Sequence, residues 1–358
     1  MAVGNSQKGK PVKAVVFEEH GGVNVLQYKE VPEPKIGPND VLIRVRAAGC
    51  NYNDIWARRG MPGMRVSLPH ISGSDAAGEV VEVGSEVADI KSGDEVLVYP
   101  GLSCRTCQFC ANGQDTFCRQ YKIWGFQTGP LDGGYAEFVK VPAFNVVPKP
   151  KALGWEEAGS IALVLLTAWR MLVGRARIQA GDFVLVWGAA GGLGSVALQI
   201  CRIFGAQPIA VAGRAEKLEF CRKLGAEHLI NRKKQDVLEE VRTITGRRGV
   251  DVVFEHVGKA TWEQSVASLK WGGTLVTCGA TTGFEAPTDL RFLWNKQLNF
   301  FGSHMGNKAD LLEGLRWVES GHIKPVVSHA FPLQEAGKAQ TLMEKNEAMG
   351  KMALVPET

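Results

Sequence analysis

The chain has 358 residues, 45% hydrophobic and 22% charged, with 41 basic and 37 acidic side chains for a net charge of +4. That balance excludes a disordered chain, which lacks the apolar surface needed to offset its entropy, and a strongly basic nucleic-acid binder. No run of about 18 apolar residues stands out as a membrane span, and residues 1–10 lack the apolar core of a signal peptide, so a cytoplasmic protein of two domains is expected.

Short alternating strands are predicted over 13–17, 41–48, 77–83, 95–98 and 136–141, separated by Gly/Pro turns such as Gly37-Pro38. That rhythm predicts a mostly β unit, a barrel. From about residue 180 the texture changes. Residues 183–187 are continuously apolar, the pattern of a strand buried on both faces. A helix over 195–204 follows, then a strand over 208–212, a helix over 216–224 and a strand over 228–230. A helix over 237–244, a strand over 250–254, a helix near 262–269 and a strand over 274–278 continue the alternation. This regular strand–helix exchange marks a doubly wound parallel sheet, hence an α/β fold. A helix over 309–319 and further short strands close the chain. The expected layout is a β unit over 1–160 and 304–358, with a cysteine-rich loop at about 100–120, whose C-terminal piece returns after a doubly wound unit over 161–303.

Gly188-Ala189-Ala190-Gly191-Gly192-Leu193-Gly194 lies between the predicted 183–187 strand and the next helix. A turn without Cβ atoms lets the backbone approach a pyrophosphate at a helix N-terminus. Glycine turns are common, but a strand before and a helix after are the context a dinucleotide loop needs. The second strand of this unit ends at Gly213-Arg214, with Lys217 three residues on. An NAD site places an Asp or Glu there. A guanidinium instead suits a 2′-phosphate, so the cofactor is read as NADPH; the plainer reading is a surface arginine. Glu216 is assigned to the dipole of the helix it begins.

Cys104, Cys107, Cys110 and Cys118 form C-x2-C-x2-C-x7-C. Four thiolates in one loop suit a single closed, structural zinc, with a disulfide pair or an iron–sulfur cluster as the competing reading. Cys50, Cys201, Cys221 and Cys278 stand in apolar surroundings and are read as small core residues.

Barrel, four-cysteine lobe, glycine loop and returning C-terminus together resemble the medium-chain dehydrogenase/reductase superfamily, zinc alcohol dehydrogenase-like and quinone oxidoreductase-like, over nearly the whole chain. The resemblance implies a chaperonin-10-like β-barrel beside the Rossmann unit. Zinc alcohol dehydrogenases also hold a catalytic zinc, and here its ligand positions read Asn51, Ser74 and, nearby, Leu163. Asn and Ser are poor zinc ligands and Leu is none, so no catalytic zinc is expected. Asn51-Tyr52-Asn53, Gly73-Ser74-Asp75, Trp124-Gly125-Phe126, Phe254-Glu255-His256, Thr281-Thr282-Gly283-Phe284 and Gly302-Ser303-His304 are similar to the crotonyl-CoA carboxylase/reductase and acryloyl-CoA reductase group. Gln127 departs from it, standing where carboxylating members carry Glu, and those members generally lack the zinc lobe.

The resemblance implies an NADPH-dependent reductase of an α,β-unsaturated acyl-CoA or enone. Asn51, Tyr52, His304 and Gln127 would be catalytic, with Asn51 and His304 favoured over Tyr52, and Trp56, Trp124 and Phe126 would wall the pocket. Thr167 would lie beside the nicotinamide. Lys217, Arg232, His256, Val257, Gly279, Ala280 and Lys351 would join the glycine loop and Arg214 around the cofactor. Plainer roles compete: Asn51 fixing its own loop, Tyr52 and the other aromatics as core rings, His304 as a satisfied histidine at a strand end. The expected partners are a small-molecule substrate such as a CoA thioester, and a second copy in a homodimer or homotetramer, with no nucleic acid or membrane. Competing functions are a quinone or alcohol/aldehyde oxidoreductase and a non-catalytic NADPH-binding protein.

Overall fold

The computed structural model describes residues 11–357; the polar 1–10 segment lies outside the described residues. Pro11–Phe17 pairs antiparallel with Gln27–Pro32 in a three-stranded sheet completed by His70–Ile71. A second sheet runs in the order Val146–Pro148, Glu95–Val98, Asp75–Val83, Asp40–Gly49, Lys351–Val355 and Val327–Pro332, and Phe138–Pro142 also pairs with Asp40–Gly49. Alternation drives this arrangement. Phe138–Pro142 buries every second residue, and the inward side chains of both sheets, among them Val16, Ile43, Val80, Tyr135 and Leu354, form one core.

The other unit is a six-stranded, wholly parallel sheet in the order His228–Asn231, Gln207–Ala212, Phe183–Val186, Val250–Glu255, Leu269–Thr277 and Asn299–Gly302. Every residue of Val250–Glu255 is buried, and its middle, Val252-Val253-Phe254, is apolar on both faces rather than alternating, while the acids Asp251 and Glu255 are buried near its two ends. This is the doubly wound α/β sheet expected from the sequence.

The helices Tyr52–Arg59, Leu290–Asn295 and Ala336–Glu344 lie outside the predicted elements, and two further differences shape the core. The strand predicted over 274–278 begins at Leu269, because Val250 pairs with Leu269 across a register shift that the exposed Trp271-Gly272 stretch accommodates. A 15-residue helix, Trp155–Trp169, extended by a wider π-helical turn over Arg170–Ala176, has no counterpart among the predicted elements. It packs on both large sheets' neighbours at once, touching the Asp40 and Asp75 strands and the Gly192–Ile203 and Lys308–Glu319 helices. Burial on several faces removes the polar stripe that would reveal a helical period. The Trp155–Ala176 stretch is also long and apolar enough to cross a membrane, but 72% of its apolar window is buried within the protein, so it serves as a core helix.

His70 is buried beside the Phe17 ring with Nε2 against Gly125 O at 3.2 Å, and burial pushes its pKa down to about 4. The folded state therefore resists protonation. Its stabilising effect is complete above the unfolded pKa near 6.5 and is lost as pH falls through 4. The span corresponds to about 3 kcal/mol. Chemical denaturation of wild type and His70→Leu at pH 7 and pH 4 checks this: the wild type should lose that much more stability than the variant over the same interval, and equal losses would contradict it.

Candidate active site and zinc lobe

The glycine loop follows Phe183–Val186 and leads into Gly192–Ile203, with Gly191 as the N-cap. Three of its glycines are required for different reasons. Gly188 has φ +57 and lies under His256, whose Cε1 would be 2.9 Å from an added Cβ. A Cβ on Gly194 would come within 2.5 Å of Gly188 O, and one on Gly192 within 2.5 Å of Lys351 Cδ. Gly350 N donates to Ala190 O at 2.8 Å, so the start of the C-terminal strand docks on the loop. Leu193 is half-buried above the helix start.

At the end of Gln207–Ala212, Gly213 is flanked by Arg214, Arg232 and Lys233. Arg214 Nε pairs with Glu216 Oε1 at 3.1 Å, and its guanidinium also reaches Asn346 O and Glu347 O, each at 3.3 Å. Glu216 thus neutralises Arg214 as well as beginning its helix, a correction to its assignment. Lys217 is buried rather than open to a phosphate: Nζ donates to Asn346 O at 2.7 Å and Asn346 Oδ1 at 2.9 Å. Burial, and then Arg214, push its pKa down to about 8.

At the far end of Val250–Glu255, His256 Nε2 meets Trp187 O at 3.0 Å, and burial lowers its pKa. Glu255, absent from the sequence-predicted site, holds this loop. Its buried carboxylate accepts from Val257 N (2.6 Å), Gly258 N (3.0 Å), Thr261 Oγ1 (2.9 Å) and Ser265 Oγ (2.6 Å). The apolar residues before it concealed a fully bonded acid. Gly279 and Ala280 follow the next strand and pack against this loop, Ala280 on Gly258. Thr167, on the Trp155–Trp169 helix, gives its hydroxyl proton to Leu163 O at 2.7 Å.

Asn51 is the N-cap of Tyr52–Arg59, where its backbone N–H donates to Asp54 Oδ2 at 2.7 Å. Its side chain is equally committed. Nδ2 donates to Asp75 Oδ2 (2.9 Å) and Gly49 O (3.4 Å), and Oδ1 accepts from Lys351 Nζ (2.5 Å). Lys351 Nζ further donates to Cys50 O (2.7 Å) and Asp75 Oδ2 (3.3 Å), while Leu163 N donates to Asp75 Oδ1 (2.7 Å). Asn51 and the backbone of Leu163 therefore meet at the buried Asp75 and the ammonium of Lys351, whereas Ser74 Oγ accepts from Asn53 Nδ2 at 2.8 Å. Lys351 was assigned to the cofactor and Asp75 to no role; their pairing joins strands distant in sequence, which no local pattern signals. Burial pushes the neighbouring Cys50 thiol up to about 12, in keeping with a core cysteine.

These bonds reverse the expected order of donors. Both Asn51 amide hydrogens are taken, whereas Tyr52 is half-buried, its ring edge-on to Trp56 at 5.4 Å, with no partner for its hydroxyl among the described residues. Trp56 spans toward the nucleotide unit, 6.4 Å from the Phe284 ring and against Gly279. His304 lies just past Asn299–Gly302, solvent-accessible and edge-on to Tyr121 at 5.5 Å; burial of its surroundings lowers its pKa, so it is neutral near pH 7. One pocket assignment, Trp124, and one catalytic assignment, Gln127, need correction. Trp124 is 1% exposed in the barrel core with Nε1 bonded to Asp132 Oδ1 at 2.9 Å, because an indole this large fills the space between strands. Gln127 Oε1 accepts from Ile123 N at 2.9 Å, closing its own turn. Phe126 is buried in the core that Trp56 packs against.

The four Sγ atoms of Cys104, Cys107, Cys110 and Cys118 lie within 4.8 Å of one another. A tetrahedron with 2.3 Å Zn–S bonds needs sulfurs about 3.8 Å apart; Cys104–Cys110 and Cys107–Cys110 are at 3.9 and 3.6 Å. Cys107 N and Gln120 N point at Cys104 Sγ (3.3 Å) and Cys118 Sγ (3.4 Å), the donors that thiolates need. The donor set fits one closed zinc.

A two-sheet β unit joined to a parallel sheet with a glycine loop between strand and helix is the architecture of a two-unit dinucleotide-binding enzyme. The Alcohol dehydrogenase GroES-like domain family matches residues 37–151 and the Zinc-binding dehydrogenase family matches residues 192–320. The chain is 37% identical to a crotonyl-CoA carboxylase/reductase of Cereibacter sphaeroides, across 96% of this chain and 86% of that one. It is 34% identical to an NAD-dependent alcohol dehydrogenase of Saccharolobus solfataricus, across 96% and 100%. Among solved structures, an NAD-dependent alcohol dehydrogenase superposes with TM-score 0.92 at 39% identity, across 96% and 99% of the two chains. A 2-octenoyl-CoA carboxylase reductase in complex with NADP and 2-octenoyl-CoA gives 0.87 at 34%, across 97% and 88%. The chain belongs to the medium-chain dehydrogenase/reductase superfamily and is an oxidoreductase.

Proposed function

We propose that the chain is an NADPH-dependent reductase of an α,β-unsaturated acyl-CoA of the acryloyl or crotonyl type, or of an enone, with one structural zinc and no catalytic zinc. The observation that carries this reading is the Asn51–Asp75–Lys351 network. An ammonium already sits against the buried carboxylate where a catalytic ion would need its ligands, and like charges repel strongly in a buried site. Oxidation of a simple alcohol needs a Lewis acid at its oxygen; conjugate reduction needs only hydrogen-bond donors. Relatives named for crotonyl-CoA, and a neighbour solved with NADP and 2-octenoyl-CoA, support the substrate class and cofactor.

NADPH, when bound, supplies a hydride. The N–H groups at the start of Gly192–Ile203 would hold its pyrophosphate, Arg214 and Arg232 would hold its 2′-phosphate, and Thr167, His256, Val257, Gly279 and Ala280 would surround its nicotinamide end. Charge then gathers on the substrate's carbonyl oxygen, and a proton must reach the α-carbon. Tyr52 and the neutral His304 have the free groups for these tasks; Asn51 positions the helix that carries Tyr52. Gln127 bears no charge and its oxygen is engaged, so a proton rather than carbon dioxide is expected at the α-carbon. The catalytic unit is taken as residues 1–160 and 304–358 and the nucleotide unit as 161–303. A homodimer or homotetramer is supported by the open edge strand Asn299–Gly302 beside exposed Leu290 and Trp294. A cytoplasmic location completes the reading.

The test is NADPH oxidation with crotonyl-CoA, acryloyl-CoA, quinones and aldehydes, with products weighed after reaction in saturating bicarbonate. Butyryl-CoA is expected from crotonyl-CoA. A dominant ethylmalonyl product, turnover confined to quinones or aldehydes, or no turnover at all would each overturn the proposal. His304→Ala should slow turnover ~10²-fold with NADPH affinity kept, and an unchanged rate removes His304 from the mechanism. Arg214→Asp should weaken NADPH by about 2–3 kcal/mol and NADH far less. Fluorescence titration of both cofactors decides it, and a wild type that prefers NADH refutes the cofactor assignment.

A further inference from the structure

A second basic site lies at the other end of the parallel sheet from the glycine loop. A half-open hollow of about 470 Å³ is formed where the Val237–Ile244 helix, the 247–249 turn, the start of Leu269–Thr277 and Lys296 meet. Its floor is apolar, with Leu238, Val241 and Leu269. Five cations surround it: Arg242, Arg247, Arg248, Lys270 and Lys296.

Two acids answer those five. Glu239 pairs with Arg242, and Asp251 pairs with Lys270 and, at 3.6 Å, with Arg248. Arg247 has no acidic partner among the described residues. Lys296 is half-buried and has none either; its ammonium donates only to Leu269 O at 2.8 Å and Ala267 O at 3.3 Å. Burial, and then Arg242, lower its pKa, which is the signature of a cation short of an anion. Trp271 borders the hollow with 62% of its surface exposed.

We infer that this hollow binds a nucleoside polyphosphate, its phosphates among Arg242, Arg247 and Lys296 and its base on the indole of Trp271. Guanidinium forks match phosphate oxygens in pairs, and an exposed aromatic face stacks a planar base. The site is separate from the dinucleotide site, because the strands that begin here end at His256 and Gly279.

The probe is ATP, titrated calorimetrically into the full chain with NADPH and NADH both in excess, so that the dinucleotide site is filled whichever cofactor it prefers. One ATP per chain is expected, with affinity falling as salt rises. Arg242→Ala/Arg247→Ala changes two exposed side chains and should weaken ATP at least tenfold. Trp271→Ala should weaken ATP severalfold but leave tripolyphosphate unchanged. No ATP binding to the dinucleotide-filled enzyme, or wild-type affinity in the double variant, overturns the site. Equal losses of ATP and tripolyphosphate in Trp271→Ala overturn the place of the base.

Discussion

Lys351→Met is expected to cost about 3–5 kcal/mol of stability, the penalty of leaving one member of a buried ion pair uncompensated. The substitution keeps the stem that packs on Gly192 and removes only the ammonium. Asp75, wholly buried, would keep Asn51 Nδ2 and Leu163 N as donors but lose its counter-charge, and Cys50 O and Asn51 Oδ1 would lose theirs. Asp75→Asn in the Lys351→Met background should recover a large part of the loss, since the neutral amide no longer needs a cation. Urea denaturation of the wild type and the two variants measures this. If the single and double variants are equally unstable, the charge pair is not what holds the network. Turnover should fall with the single variant as well, because Asn51 fixes the first turn of the helix bearing Tyr52 and Trp56.

Loss of metal from the four-cysteine lobe is the other large effect. Elemental analysis should give about one zinc per chain, and Cys107→Ser should take it close to zero. The lobe has little else to hold it. Phe109 and Phe117 touch at 5.9 Å, but Phe117 is 48% exposed. A zinc held by the four cysteines, at on the order of 10 kcal/mol, would therefore supply most of the lobe's folding free energy. The damage should spread along a defined path: Thr116 N and Oγ1 donate to Asn307 Oδ1 at 3.1 and 3.2 Å, capping the Lys308–Glu319 helix just beyond His304. Limited proteolysis of the variant should cut first within residues 100–120, with the nucleotide unit intact. Two zincs per chain would refute the metal-free centre, and an unchanged cleavage pattern would refute the lobe's dependence on metal.

The parallel sheet was legible because its inner strands Phe183–Val186 and Gln207–Ala212 and the Val252–Phe254 stretch are largely apolar and alternate with helices, whereas the edge strand Asn299–Gly302 was not, and the glycine loop was legible because it stands between a strand and a helix. The four cysteines were legible because their ligand spacing is local. What escaped was non-local. The Trp155–Trp169 helix has no polar stripe to betray it, since sheets and helices cover it on several sides. Asp75 and Lys351 stand 276 positions apart and acquire meaning only when the C-terminal strand pairs with Asp40–Gly49. Trp124 was misread because an aromatic beside a glycine looks the same in sequence whether it faces a cleft or fills a barrel.

The carbonyls of Asn346 and Glu347 that hold Arg214, together with the Asn346 side chain that holds Lys217, belong to the chain just before the C-terminal strand. Cofactor preference is for that reason a distributed trait. An engineer who transplants the 213–217 turn from an NADH-using relative also unties the 346–347 loop, and with it the approach to Gly350 and Lys351. Successful redesign has to exchange both segments together, and a library that varies the turn alone should be dominated by variants that bind neither dinucleotide well.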